Sequence, residues 1–356
     1  MLIKFDFKIL EQKNYLIFDD LQLEIFNKYL DNSTNVVSFR DKKYNFFAIL
    51  YALFFFFRSE LKVEYINFFL KFTKKKTIIS LNYNRLILYK IKKYYPSIKI
   101  IIIQNGVTTK FFIDKLKKNN ANLSCDYFLC MTTTEKKIIE KYITANFIVI
   151  GSFLNNFFYK KQKTKKKEIL FISQYRDKES IIDFQKSYYN TTQFLIPYLI
   201  QFSKDKKIPI SILGSSLSFE KENNYYKNFF KDYKFKYYKR KKFFGYKRVD
   251  NSLIVVGVDS TLIYEAFSRG KKIAIFNFSK INKKFSVHDS FLFQRFLKDD
   301  GYFWTKLKNG KKIKSILNSL FDASSNEWLN KKNYYKNLFS FDKDNEKFRK
   351  IINSIK

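Results

Sequence analysis

Short runs rich in Ile, Val and Phe recur along this chain, set apart by longer segments whose apolar residues follow the period of a helix. The first six are YLIF (15–18), NVVSF (35–39), TIISL (77–81), KIIII (99–103), YFLCM (127–131) and NFIVI (146–150). A second series follows: EILFIS (168–173), PISIL (209–213), FKYY (235–238), LIVVGV (253–258) and KIAIFNF (272–278). Most are apolar throughout, without in-out alternation, so each reads as a strand buried on both faces. Strands of that kind alternating with helices build parallel sheets through crossover connections. The spacing predicts helices over 84–94, stopped by Pro96, over 133–143, and near 190–205, 222–232 and 260–269. From Lys311 onward the pattern is helical, with two or three amphipathic segments and no strand.

Between the two series lies GSFLNNFFYKKQKTKKKE (151–168), polar, basic and without period, which reads as a linker. At 356 residues the chain exceeds one ordinary core. The expected fold is therefore α/β, with two doubly wound Rossmann-like domains facing across a cleft and helices at the C-terminus. Residues 1–155 form one domain and 156–330 the other, with the helices of 330–356 able to pack back on the first. Ligands of doubly wound sheets bind at the carboxyl ends of the strands, so function is sought there.

Composition narrows the setting. Forty-three Phe and 26 Tyr stand against 8 Gly and 3 Pro, a bias that fits A/T-rich codons. The net charge of +37 therefore has two readings, codon drift or a surface that draws in polyanions. Its densest clusters are KKQKTKKKE (160–168) and KYYKRKKFFGYKR (236–248), and a solvated surface explains both as well as a ligand does. Cys125 and Cys130 make no disulfide framework and read as core residues, while a single histidine, His288, leaves a zinc site short of ligands. No metal is expected. The N-terminal MLIKFDFKILEQ lacks a secretory pattern, and a reducing cytoplasm is the expected home. The run YNFFAILYALFFFF (44–57) ends at Arg58 and falls short of the roughly 20 residues that span a bilayer. It reads as a core helix, with shallow docking at the inner face of a membrane as the other reading.

One loop has the form of a ligand site. In LIVVGVDSTLIYEAFSRGKKIAIFNF (253–278) a buried strand stops at Asp259-Ser260-Thr261 and a helix begins. Asp259 or Ser260 suits an N-cap, and the free N–H groups of a helix start attract a phosphate. Ser260 and Thr261 add hydroxyls, and Glu265, one turn on, is within reach of ribose hydroxyls. A plain helix cap explains the same trio. In IKIIIIQNGVTTKFF (98–112), Gln104 and Asn105 offer amides and Gly106 a turn of positive φ, unless this is simply an Asn-Gly turn. Ser173, Gln174 and Arg176 follow one strand of the second series, and Gly214, Ser215 and Ser216 the next; a cation there would meet phosphates, and ordinary loops would look alike.

These units resemble the nucleotide-sugar glycosyltransferases of GT-B architecture, especially bacterial enzymes of surface-carbohydrate and capsule assembly. The resemblance spans motifs over about 98–278, each of them short. It implies that Gly257, Asp259, Ser260, Thr261, Glu265 and Gly270 hold the donor diphosphate and ribose. Gln104-Asn105-Gly106 would face the cleft on the acceptor side, and Gly151-Ser152 would close the first domain at the crossing. A catalytic base is then needed near the acceptor hydroxyl, and Asp19 and Asp20, ending YLIFDD, are placed for it, although a cap explains them too. The chain lacks the His-Pro pair of relatives that use CMP-linked donors, which argues against such a donor. The resemblance implies a nucleotide-sugar as substrate, no further cofactor, and a glycan or lipid-linked acceptor. Two other functions stay open: an epimerase of the same fold, which would need more cleft carboxylates and histidines, and a basic protein binding anionic lipid or nucleic acid. Nucleic acid is disfavoured by charge spread along the whole chain and by the lack of a helix-turn-helix, RNP or zinc pattern.

Overall fold

In a computed structural model of the chain, the described residues are 4–19, 22–39, 43–119, 123–159, 168–175, 182–215, 218–239, 241, 243–278 and 297–355. They group into two compact units. The first comprises 1–106, 115–157 and 342–356, and the second 107–114 and 158–341.

The first unit opens with β1 (Lys4–Asp6), β2 (Tyr15–Phe18), α1 (Leu23–Asn27), β3 (Thr34–Val37) and β4 (Lys43–Asn45). Then come α2 (Phe46–Phe55), α3 (Leu61–Lys71), β5 (Thr77–Ser80), α4 (Leu86–Tyr94), β6 (Lys99–Ile103) and α5 (Lys110–Lys118), whose first half groups with the second unit. β7 (Leu123–Cys130), α6 (Thr133–Ile139), β8 (Ile143–Val149) and α7 (Phe153–Phe157) complete the run. Its sheet is parallel throughout in the order β3-β2-β5-β6-β7-β8, and β1 pairs with β4 as a separate ribbon. β2 and β5 are buried at every residue, as strands covered on both faces must be.

The second unit holds β9 (Ile169–Ile172), α8 (Ile182–Lys206), β10 (Ile210–Leu213), α9 (Phe219–Phe230), β11 (Lys236–Tyr238) and α10 (Phe244–Asn251). β12 (Ile254–Gly257), α11 (Thr261–Ser268), β13 (Lys272–Phe276) and β14 (Trp304–Thr305) follow, then two helices, Gly310–Asp322 and Ser325–Tyr334. The order β11-β10-β9-β12-β13-β14, all parallel, is 3-2-1-4-5-6 when counted from the start of the unit. It reverses direction between β9 and β12, the point where doubly wound sheets open a crevice. α11 ends as the sequence predicts: Gly270 takes φ 82°, its N–H bonds Phe267 O at 2.9 Å and that of Lys271 bonds Ala266 O at 3.0 Å. This paired closure of a helix end needs the left-handed residue that glycine supplies without strain.

Two expectations need correction. Residues 151–157 are not linker: Ser152 and Phe153 are buried, 153–157 are helical, and the segment anchors the returning C-terminus. Asn156 accepts from the N–H of Asp342 at 3.2 Å and donates to Asn345 Oδ1 at 2.9 Å, while Asn345 donates to Phe153 O at 2.9 Å. Those buried amides hold the last helix, Glu346–Ile355, on the first unit, where Phe348 packs against Phe26 and Phe153. Residues 160–167 lie outside the described residues. The apolar run 44–57 is helical from Phe46 onward but is no core helix, since α2 buries Ala48 and Ala52 alone.

Candidate functional site

The second unit carries a pocket of about 440 Å³ at the switch point of its sheet. Its walls are the loops that leave β9, β10 and β12 at their carboxyl ends. They bring together Ser173, Gln174, Gly214, Ser215, Asp259, Ser260 and Thr261 from the sequence motifs. Arg176 and Ser216, from the same loops, lie outside the described residues. Gly257 is not on the lining; a Cβ there would stand 2.3 Å from Ile263 Cδ1, so its bareness lets α11 pack on β12.

The loops hold one another in place. Gln174 spends its amide on the backbone of Asp259, accepting from its N–H at 2.7 Å and donating to its carbonyl at 3.1 Å. Asp259 is buried and accepts from Tyr264 Oη at 2.8 Å. Both side chains therefore shape the pocket, and the groups left for a ligand come from the next residues. Ser260 is the N-cap of α11 in backbone geometry, yet its hydroxyl makes no capping hydrogen bond. Thr261 Oγ1 accepts from the N–H of Val107 at 3.3 Å. Thr261 and Leu262, in the first turn of α11, line the pocket and have no intrahelical acceptor for their N–H groups. Gly245, in the first turn of α10, lines it as well. Two helix starts thus give the pocket a positive wall.

Sequence reasoning missed four contributors. Lys241, from the basic cluster that reads as solvated surface, lines the pocket and supplies a cation. Glu222, fully buried on α9, accepts from the Ser173 hydroxyl and, on Oε1 and Oε2, from the N–H of Ser215 at 3.0 and 3.1 Å. Tyr226 Oη donates to Ser173 Oγ at 2.7 Å and meets Tyr188 Oη at 2.6 Å, while Tyr188 accepts from the N–H of Gln174 at 3.0 Å. Burial raises the Tyr226 and Tyr188 hydroxyls above their usual range and keeps them protonated donors. The fourth is the Arg269–Asp250 pair behind α10 and α11. A carboxylate at the first residue of the predicted helix 222–232, in the mouth of a βα loop, was the available signal for Glu222. We expect Glu222→Ala to strand the Ser215 N–H and lose about 1 to 3 kcal/mol, readable by urea unfolding, with Glu222→Gln recovering much of it.

Glu265 is buried, accepts from Tyr246 Oη at 3.2 Å and is not on the lining.

In the first unit the strand order, counted afresh, is 2-1-3-4-5-6 and turns between β2 and β5. Asp19 ends β2 there, buried, with φ 73°. Its carboxylate accepts from Asn82, which follows β5, and from Ser38 Oγ at 3.5 Å. Asp20 and His288 lie outside the described residues. Gln104 is buried and bound to backbone, accepting from the N–H of Met131 and donating to Gly106 O, both at 2.9 Å. Asn105 is exposed and Gly106 has φ 139°. Gly151 takes φ 78°, and Ser152 Oγ accepts from the N–H of Asn155 at 3.3 Å, starting α7. Cys125 and Cys130 are free and buried. Among the described residues no three His, Cys, Asp or Glu side chains gather as metal ligands.

A family described as "putative O-antigen biosynthesis protein" matches residues 101–356. No curated protein matches the chain in sequence. Solved structures match in fold. HepE of Anabaena, solved with UDP-glucose, is 10% identical, with a TM-score of 0.56 over 96% of this chain and 100% of its own. The UDP-GlcNAc 2-epimerase of Methanocaldococcus jannaschii, solved with UDP-GlcNAc and UDP, is 12% identical, with a TM-score of 0.54 over 96% and 99%. The wall teichoic acid polymerase TagF is 12% identical, with a TM-score of 0.51 over 96% and 87%. At such identities the likeness is one of fold, and that fold is GT-B.

Proposed function

From a chain that belongs to this O-antigen biosynthesis family, we propose a glycosyltransferase that takes a nucleotide-sugar in the pocket of its second unit and passes the sugar to a bacterial surface glycan. The observation that carries the reading is the pocket itself: a sheet switch point with two helix starts, the Ser260 and Thr261 hydroxyls and Lys241 around it. In this reading the donor diphosphate lies against the N–H groups of Thr261 and Leu262, with the Ser260 and Thr261 hydroxyls and the Lys241 ammonium beside it. As the sugar–phosphate bond breaks, charge develops on the leaving oxygen, and these fixed donors stabilise it more than they stabilise the ground state. No metal is called for. Asp19 is the candidate base of the first unit, its carboxylate oriented by Asn82 and Ser38 to accept the acceptor hydroxyl's proton.

The fold neighbours include epimerases, so an epimerase acting on the same donor class is the second reading. A thermal-shift panel of UDP, GDP, CDP, dTDP and CMP tests the pocket first, because a ligand that binds only the folded state raises the melting point. One nucleoside diphosphate should shift it, and CMP should not. A panel without any shift would overturn both readings. Incubating the matching nucleotide-sugar alone and following it by NMR then separates them: an epimer appearing in the donor pool would identify an epimerase.

A further inference from the structure

Helix α2 carries its apolar surface reversed. A surface helix ordinarily turns its large apolar residues inward, but α2 buries Ala48 and Ala52, one turn apart, and packs by that small face on α3. Phe47, Leu50, Leu53 and Phe54 are exposed instead, and so are Phe56 and Phe57 in the turn that follows. Phe54 and Phe57 each expose 71% of their surface. The neighbouring ribbon extends the patch, since Phe5 and Phe7 are exposed and their rings stand 6.3 and 5.1 Å from that of Phe46. A contiguous apolar surface of this kind marks a contact site.

The rim has one sign of charge. The Arg58 guanidinium lies 4.5 Å from the Phe55 ring, the Lys71 ammonium lies 4.3 Å from the Tyr51 ring, and Lys62 is exposed at the start of α3. The adjoining acids are engaged: Asp6 pairs with Lys43 at 3.3 Å, Glu60 pairs with Lys90, and Glu64 is buried, accepting from Ser59 and Tyr95 at 2.6 Å each. α2 itself has ten residues and no charge, about 15 Å of helix, half of what a bilayer core requires. Among the described residues no helix is long and apolar enough to cross a membrane.

We propose that this face docks on an anionic phospholipid surface. α2 lies in the plane of the interface with Phe54 and Phe57 among the acyl chains, and Arg58, Lys62 and Lys71 meet lipid phosphates. Charge complementarity decides against a second copy of the chain as the occupant. A two-fold contact sets the same patch against itself and would bring these cations together, whereas anionic lipid neutralises them. The inference does not depend on the reaction proposed above.

The test uses the full chain with sedimenting vesicles of phosphatidylcholine, with and without phosphatidylglycerol. We expect binding to the anionic vesicles that weakens with salt and is poor without phosphatidylglycerol. Phe54→Ser with Phe57→Ser should lower partitioning about tenfold or more for each ring withdrawn from lipid. Both side chains are largely in solvent, so the melting temperature should stay put. Leu53→Trp in the otherwise native chain supplies a second readout, with emission quenched by brominated lipid. The proposal fails if the wild-type chain ignores anionic vesicles, if the serine variant binds them as tightly as wild type, or if the new tryptophan is not quenched. A dimer in ultracentrifugation that the serine variant abolishes would assign the face to a second copy instead.

Discussion

Replacing Ser260 and Thr261 together by alanine is expected to weaken nucleotide binding by about tenfold or more for each hydroxyl removed from the diphosphate, since a hydrogen bond to a charged group contributes roughly 1.5 to 3 kcal/mol. The fold should hardly notice Ser260→Ala, because the Ser260 hydroxyl makes no cap on α11. Thr261 differs, since its Oγ1 accepts from the N–H of Val107 at 3.3 Å, so Thr261→Ser is the companion that keeps this bond. Calorimetric titration of the folded single and double variants with the best nucleoside diphosphate provides the measurement. Unchanged affinity in the double variant would place the diphosphate elsewhere, and with it the donor site proposed for this pocket.

The loop at Asp259 stands out in the bare sequence because of how strands and helices write themselves into residue order. Runs such as KIIII and LIVVGV are buried on both faces, so nearly every residue has to be apolar, and the positions of β6 and β12 are legible to within a residue or two. Where burial does not dictate residue type, the pattern falls silent. β14 is two residues long, and the pairing of β1 with β4 spans almost forty positions. The pocket is legible only where its lining coincides with the end of a buried strand, as at Ser173, Gly214 and Ser260. Lys241 stands in a basic cluster like several others, and nothing short of tertiary placement separates a lysine in a pocket from one in solvent. Gln174 reads as facing a ligand, yet its amide clamps Asp259, because a side chain's partner eighty-five positions away leaves no periodic trace. α2 misleads for the opposite reason. Its composition suggests burial, while the informative detail is the pair of alanines one turn apart on the face that packs.

The largest stability loss is expected from breaking the pair Arg269–Asp250. Arg269 Nε donates to Asp250 Oδ1 at 2.9 Å and Nη2 to the other carboxylate oxygen, with the guanidinium fully shielded and the carboxylate nearly so. The rings of Tyr159 and Tyr246 lie 5.2 and 5.3 Å from the guanidinium carbon. Asp250→Ala therefore strands a buried cation, which typically costs about 3 to 5 kcal/mol, whereas Asp250→Leu with Arg269→Met removes both charges and should recover most of it. For a unit of this size the single variant should melt lower by roughly 6 to 20 °C. The chain's two tryptophans, Trp304 and Trp328, are both buried in the second unit, so their fluorescence reads this unit's unfolding without interference from the first. The consequence reaches the pocket as well. Asp250 closes α10 and Arg269 closes α11, and the opposite ends of those helices, at Gly245 and at Thr261, line the pocket. If the pair fixes the angle between two helices whose first turns line one pocket, the apolar double variant should refold to near its original stability yet bind nucleotide less well. Full recovery of both would show that packing alone sets the helix geometry and that the charges are dispensable.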